Sequence, residues 1–422
     1  MMDPDMAREV QTKVILHWNY RGFKELPEEL RIEGEHVKEV YLKWNVLDKL
    51  PQWLGVLRSL TNLYLYGNML ESLPKEIEEL HSLVILDVSE NHLSSLPENI
   101  CKLHYLSVLI ATNNKLSSLP KDIQKLTSLQ TLHLAGNSLQ ILPESLCQCQ
   151  SLEDLCLDRN NLLCLPSQIV YLPRLNSLSV SGNQLIYLPA LPFTTEIHLN
   201  FNENPCLNYL PFPLGCQITS RNGSNADHWY LNCFGCFLRS LSDSTYLKNT
   251  ILHVPPSSMW QNEAMQLVMP YELNHVYMPG SAQVPSLYEM TLRTVYTSLY
   301  HHIPQNIKLT RKHIFTTFRK LKFEWERYQI FPSSIAEQLR RGPVTICFHP
   351  NCQAPIFKYA VVWVVPVNNL TRSGQEISVL TVVYFCSQNC SLLYEKYELS
   401  NLNESEVLLS QSRTEWKYVQ TL

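Results

Sequence analysis

Four cysteines near the C-terminus are the residues best spaced to do chemistry: Cys347 and Cys352 with four residues between them, then Cys386 and Cys390 with three between them. Two pairs of thiolates satisfy a tetrahedral zinc ion completely and leave no open position for water or substrate. The metal implied is therefore structural. The spacing within each pair is wider than the usual two intervening residues, and His349 is a candidate to replace Cys347 or Cys352. The competing reading is four buried free thiols in a small β domain. Cys233 and Cys236 form a further pair with His228 close by; without a partner pair they read as surface thiols or as a distant contribution to the same site. Nothing in the chain forms an open metal site or an activated nucleophile, so a non-enzymatic protein is expected.

Bringing the two pairs together requires a hairpin. Residues 356–367 and 377–385 are rich in Val, Tyr and Phe and read as two strands flanking a polar turn from Asn368 to Gln375. A helix expected from Cys386 to about Tyr397 puts Cys390 at its N-terminus, where the backbone dipole stabilises thiolate charge. Upstream, Leu287, Met290, Val295 and Leu299 share one helical face. A second helical stretch, 307–328, carries Lys308, Arg311, Lys312, Arg319, Lys320 and Lys322, and a third, Ser333 to Arg341, follows Pro332. Residues 217–284 mix Gly, Ser, Asn and Pro with scattered aromatics and give no firm element.

The first half of the chain obeys a single rule. Asparagine recurs at Asn45, Asn68, Asn91, Asn114, Asn137, Asn160 and Asn183, every step 23 residues. One copy of its frame is Leu83-x-x-Leu86-x-Val88-x-x-Asn91-x-Leu93-x-x-Leu96-Pro97-x-x-Ile100. The Leu-x-Leu alternation is a short strand with two side chains inward. The chain then bends, and a buried Asn at the corner can donate and accept where the strand ladder stops. Leu-Pro begins the return, where Pro suits a first helical turn. One such turn cannot bury its own apolar face, but stacked turns can. Val14-x-Leu16-x-x-Asn19 and Ile197-x-Leu199-x-x-Asn202 fit as end turns, giving about nine in all.

The frame also gives the outward positions of the strands. Trp18, Tyr41, Trp44, Tyr64 and Tyr66 gather there at the N-terminal end, and an exposed Trp–Tyr patch is what a protein-binding hot spot needs. The alternative is an N-terminal cap, built by residues 1–13, folded over these side chains.

The 23-residue length and the Leu-Pro-x-x-Ile pattern over residues 14–205 resemble the intracellular leucine-rich-repeat class of Ras-pathway and cell-polarity adaptors. Nearly the whole chain resembles the leucine-rich-repeat-containing protein family. That likeness rests on Asn19-Tyr20-Arg21, Leu339-x-x-Gly342-Pro343, Cys352-x-x-Pro355-Ile356-Phe357 and Cys386-Ser387-x-x-Cys390. Within the helical segment, Leu287, Thr291 and Val295 resemble the box by which cullin-ligase substrate receptors hold Elongin C. Pro332, Ile335 and Leu339 resemble the box that selects the cullin. The mode implied is helix-in-groove, with Leu287 as anchor; the alternative is ordinary core helix.

Composition sets the remaining bounds. The 422 residues suffice for two or three domains, and 34 Lys and Arg against 38 Asp and Glu give a net charge of −4, with no bias toward nucleic acid or membrane surface. Nucleic-acid binding by the zinc module and the basic helix would be a third class, exposed by its salt dependence. The longest apolar stretch, Tyr359 to Val367, is too short to span a bilayer. The sequence begins Met-Met-Asp-Pro-Asp, which is no secretory signal. Although Cys206 and Cys216 could mimic a disulfide cap, reduced cytosol is expected, with the nucleus also open. The fold expected is α/β: a leucine-rich-repeat solenoid at 1–215, a connector at 216–284, a helical segment at 285–342 and a zinc-knuckle-like β-hairpin module at 343–422. The function expected is an intracellular adaptor that binds proteins through the repeat face. It is either a substrate receptor of an Elongin B/C–cullin ubiquitin ligase or a signalling scaffold whose C-terminal module caps the coil.

Overall fold

The first apolar residue of each Leu-x-Leu is the centre of a three-residue strand, and the second lies just beyond its end. The strands are β1 (Ile15–His17), β2 (Glu39–Tyr41), β3 (Asn62–Tyr64), β4 (Ile85–Asp87), β5 (Val108–Ile110), β6 (Thr131–His133), β7 (Asp154–Cys156), β8 (Ser177–Ser179) and β9 (His198–Asn200). They pair in sequence order as one parallel sheet. The computed structural model describes residues 4–191, 193, 197–207, 209–211, 251–254, 265–277, 285–299, 333–349, 352, 354–372, 375–400 and 417–419. These fall into two compact units: Met1–Pro166, Leu172–Gln184 and Thr195–Glu203 form the first, and Ser167–Tyr171, Leu185–Thr194 and Asn204–Leu422 the second.

In the first unit the central strand residues, Leu63, Leu86, Leu109 and Leu132 among them, are completely buried or nearly so. Each contributes about 2 kcal/mol by leaving water. Short 3-10 turns return the chain at Gln52–Val56, Lys75–Glu79, Glu98–Lys102, Ile123–Lys125 and Glu144–Gln148. The proline stands one residue before the turn, not inside it: Pro74 is extended, with φ −68° and ψ 151°.

The asparagines form the internal ladder that their period requires. Asn91 Nδ2 donates to the carbonyls of Leu65, Val88 and Ser89 at 3.0 Å, and its Oδ1 accepts the Leu70 amide at 3.0 Å. Asn68, Asn114, Asn137, Asn160 and Asn183 repeat the pattern.

The end turns differ from the expected register by two residues. Leu16 pairs with Val40, so the ladder position of the first turn is Arg21 and not Asn19; the Arg21 and Phe23 amides both donate to Asn45 Oδ1 at 3.0 Å. At the other end Leu178 pairs with Leu199, and the ladder residue is Asn204, fully buried and accepting from the Leu185 amide at 2.9 Å, in place of Asn202. A two-residue slip preserves strand parity, so alternation could not detect it. Ahead of β1, helix α1 (Pro4–Thr12) and, after it, α2 (Glu28–Glu33) bury Val10 and Leu30.

The second unit is built on a four-stranded sheet in the order β10 (Leu210–Pro211), β17 (Gln375–Phe385), β16 (Tyr359–Arg372), β13 (His275–Tyr277). The central pair is antiparallel and the outer pairs are parallel. A second sheet contains β11 (Ile251–Val254) and β12 (Met265–Val268), both in the stretch that gave no firm element, and β18 (Lys417–Val419). The hairpin strands run further than expected: most of the polar stretch after Val367 is strand, with a register shift between Val367 and Leu370 where two asparagines interrupt the apolar run. Ile356 belongs to a separate small hairpin, β14 (Thr345–Ile346) with β15 (Pro355–Ile356).

Three helices complete the unit: α3 (Leu287–Leu299), α4 (Ser333–Arg341) and α5 (Gln388–Ser400). Leu292 and Tyr296 of α3 pack with Ala336 and Leu339 of α4 and with Phe357. Trp363 and Phe385 pack with Tyr394 of α5 at ring separations of 5.9 and 5.5 Å. The basic stretch 307–328, Pro332 and the Cys233–Cys236 pair lie outside the described residues. Among the described residues no helix is long and apolar enough to cross a membrane.

Candidate metal centre and the strand face

Two limbs carry the four cysteines. On the first, Cys347 follows β14 directly, and its amide donates to the Ala354 carbonyl at 2.8 Å; the Cys352 amide donates to the His349 carbonyl at 3.0 Å. These bonds fold the tip of the small hairpin into a knuckle. On the second, Cys386 follows the last residue of β17, and Ser387 caps α5, its Oγ accepting the Cys390 amide at 3.3 Å. The Phe348 amide donates to the Tyr384 carbonyl at 2.9 Å and joins the limbs.

The four Sγ atoms all lie within 4.8 Å of one another, with Cys352–Cys386 and Cys386–Cys390 each 3.5 Å apart. A tetrahedron with metal–sulfur bonds near 2.3 Å has edges of about 3.8 Å, so the thiols already stand at metal-holding separation. None is in a disulfide. Cys347 and Cys386 are buried while Cys352 reaches the surface. His349 is buried beside Cys347 but is not one of the clustered ligand groups. As bare thiols they polarise one another. Hydrogen bonding from Cys347 is the largest influence holding Cys352 and Cys390 below the ordinary thiol range, Cys390 at about 7, while Cys347 is itself pushed up. Four mutually close sulfurs cannot all ionise without a cation among them.

A buried ion pair braces this site, and the sequence reading missed it. Glu289 of α3 is fully buried; its carboxylate accepts Arg293 Nε at 2.8 Å and the amides of Phe357 and Lys358 at 3.0 and 2.9 Å. Arg293 in turn donates to the carbonyls of Cys386 at 2.9 Å and Tyr359 at 3.0 Å. The guanidinium thus holds the backbone of one candidate ligand. The available signal was the Glu-x-x-x-Arg spacing on the face of α3 opposite Leu287.

That opposite face is open. Leu287 is 77% exposed, and Thr291 and Met290 share its side of the helix. Val295 and Ile335, by contrast, pack against the helical core, and Leu339 is fully buried within it. The two box-like motifs therefore present Leu287 and Thr291 outward, whereas Val295, Ile335 and Leu339 serve the interior.

On the strand face of the first unit, His17, Tyr41 and Tyr64 stack at ring separations of 4.8 and 4.5 Å. Lys43 Nζ stands 4.9 Å from the centre of the Tyr64 ring, and Trp44 meets Tyr66 edge-on at 5.1 Å. The Tyr41 hydroxyl donates to Glu39 at 2.8 Å, and that bond is the main cause of its rise to about 12. Trp18 is a correction. It is fully buried, its Nε1 donating to Glu9 of α1 at 3.2 Å and its ring packing against Phe23. The two-residue register change in the first turn puts it in an inward column.

The sequence matches the family described as leucine-rich repeat region over residues 51–133, and leucine rich repeat over 128–149. With the parallel sheet and the asparagine ladder, these matches show that the repeat half of the chain is a leucine-rich-repeat domain. No curated protein sequence matches it. Among solved structures it is similar to a leucine-rich-repeat protein of Leptospira interrogans, at 28% identity and TM-score 0.43 over 48% of this chain and 58% of that one. The leucine-rich-repeat ectodomain of a plant membrane receptor kinase from Arabidopsis thaliana, in complex with Casparian strip integrity factor 2, gives 34% identity and TM-score 0.39 over 42% of this chain and 22% of that one. A TDR receptor gives 23% and 0.43 over 51% and 43%. The chain thus spans between about a fifth and three-fifths of the length of these structures.

Proposed function

We propose that this is a non-enzymatic intracellular adaptor that captures a partner protein on the strand face of its repeats and carries a structural zinc ion in its C-terminal module. The observation that carries the reading is the ordered aromatic column His17–Tyr41–Tyr64 beside Trp44 and Tyr66, rigid side chains presented outward by a sheet with a completed core. Cys347, Cys352, Cys386 and Cys390 would hold the zinc, which supplies rigidity by joining the knuckle to the start of α5. The test of the metal is native mass spectrometry of protein purified without chelator. One bound zinc, lost in Cys386→Ser/Cys390→Ser, is expected; metal-free wild type would leave four free thiols.

A sharper reading makes the chain a substrate receptor of an Elongin B/C–cullin ligase. What supports it is the outward Leu287 and Thr291 on α3, the side of a helix that a groove would take. Affinity purification of wild type beside Leu287→Asp tests it. Elongin B, Elongin C and a cullin recovered only with wild type would establish the receptor. Their absence from both samples would favour a scaffold of the Ras-pathway or polarity type.

A further inference from the structure

The strand face is unevenly charged. Its outward positions carry Glu39, Asp87, Glu90, Asp154, Asp158 and Glu203 against Lys43 and Arg159 as the permanent cations. Three of these carboxylates flank the aromatic turns and have neutral partners: Glu39 accepts from the Tyr41 hydroxyl, Asp87 from the Ser89 amide at 3.1 Å, and Glu90 from the Asn113 side chain. None of the three has a cationic partner among the described residues.

Trp44 is held in a defined pose on the same face. A Cβ added to Gly67 would stand 2.7 Å from Trp44 Cε3, so the indole lies directly on the Gly67 backbone. It is nevertheless 47% exposed. Tyr66 meets it at an interplanar angle of 82°. Burial and then the charges of Glu90 and Asp87 hold the Tyr66 phenol above its ordinary range, which places both carboxylates in the field of that ring. Aromatic faces attract cations, and nearby carboxylates deepen the attraction. Tyr64 already takes the Lys43 ammonium in this way. Among the described residues no cation of the chain stands over Trp44 or Tyr66.

We propose that the corner between Trp44 and Tyr66, with Asp87 and Glu90 beside it, receives the lysine or arginine head group of a basic segment in a partner protein. This rests on the reading of the strand face as protein-binding, and names the chemistry of what binds there.

The test places p-benzoylphenylalanine at Ile110, outward on β5, in the full chain in cells and sequences the cross-linked segment. The expected segment contains Arg or Lys, and Trp44→Ala or Asp87→Asn/Glu90→Gln lowers its yield at least tenfold. A captured segment without basic residues, or a yield indifferent to those changes, overturns the cation corner while leaving protein binding intact. No cross-link overturns both readings. With purified chain, labelled octa-arginine should bind roughly tenfold more weakly to Trp44→Ala; equal binding would mean unspecific attraction and overturn the proposal. Unchanged thermal melting of the variants establishes that folding is not the cause.

Discussion

The two units of this chain are held by opposite strategies. In the repeat unit every fixing is made many times over: leucine columns, asparagine ladder and 3-10 turns recur, so each contact is one of a series. The C-terminal unit depends on features that occur once among the described residues, namely four cysteines from two limbs and the buried Glu289–Arg293 clip. Redundancy makes the consequences of damage local, because a repeat contacts chiefly its neighbours. Single-copy fixings make them global within the unit.

The sharpest way to break that contrast is to empty the proposed metal site. Chelation, or Cys386→Ser/Cys390→Ser, should cost the second unit on the order of 10 kcal/mol of metal-linked folding free energy. In calorimetry its transition should disappear while that of the repeats persists; simultaneous loss of both would show that the contrast is wrong. Next in size is Glu289→Ala, which takes the carboxylate from Arg293 and from the amides of Phe357 and Lys358. A loss of about 3–5 kcal/mol is expected in denaturant titration. Replacing both partners by leucine should cost distinctly less.

Asn114→Ala tests the redundant side. It leaves the amide of Leu93 without its partner and takes one of two asparagine donors from each of the Val88 and Ala111 carbonyls, for about 1–3 kcal/mol. Hydrogen exchange should rise in the adjoining turns and not in the remote ones. The smallest effect concerns Glu9. Burial alone would raise its carboxyl, but hydrogen bonds from Lys13 and Trp18 and the charge of Arg21 outweigh it and hold it below the ordinary glutamate value. A depressed folded-state value stabilises fully above the unfolded one and is lost as pH falls through the folded one. Acidification toward pH 4 should therefore lower the melting temperature of wild type slightly more than that of Glu9→Gln.

The same contrast decided what could be read from residues alone. Seven in-phase asparagines fixed strand, corner and core for the interior turns because each copy corroborated the others. The end turns had no such corroboration. Asn19 and Asn202 each offer an asparagine two residues before the true ladder position, and parity hides the slip; a frame anchored on Asn19 therefore points Trp18 outward. The four cysteines were legible because thiolate pairs flanking a hairpin are rare. The β14–β15 hairpin was not, since two-residue strands show no periodicity. Nor was the Glu289–Arg293 clip, whose partners are carbonyls and amides far away in sequence. The pairing of β11 with β12 and β18 joins segments with no alternation of their own.

One regularity of the coil has a bearing on how such a surface can change. The residue before each ladder position is left-handed in all nine turns, and at three of them, 67, 136 and 182, it is glycine. Each of these glycines lies under the side chain that the preceding turn contributes at the same position: Trp44, Asn113 and Arg159. A bulky group on one turn and a bare backbone on the next are thus a single inherited unit. Shifting an aromatic anchor along the coil would take two substitutions together, one to add the ring and one to clear its seat. Selection acting on one site at a time could alter what the face grips far more readily than where it grips.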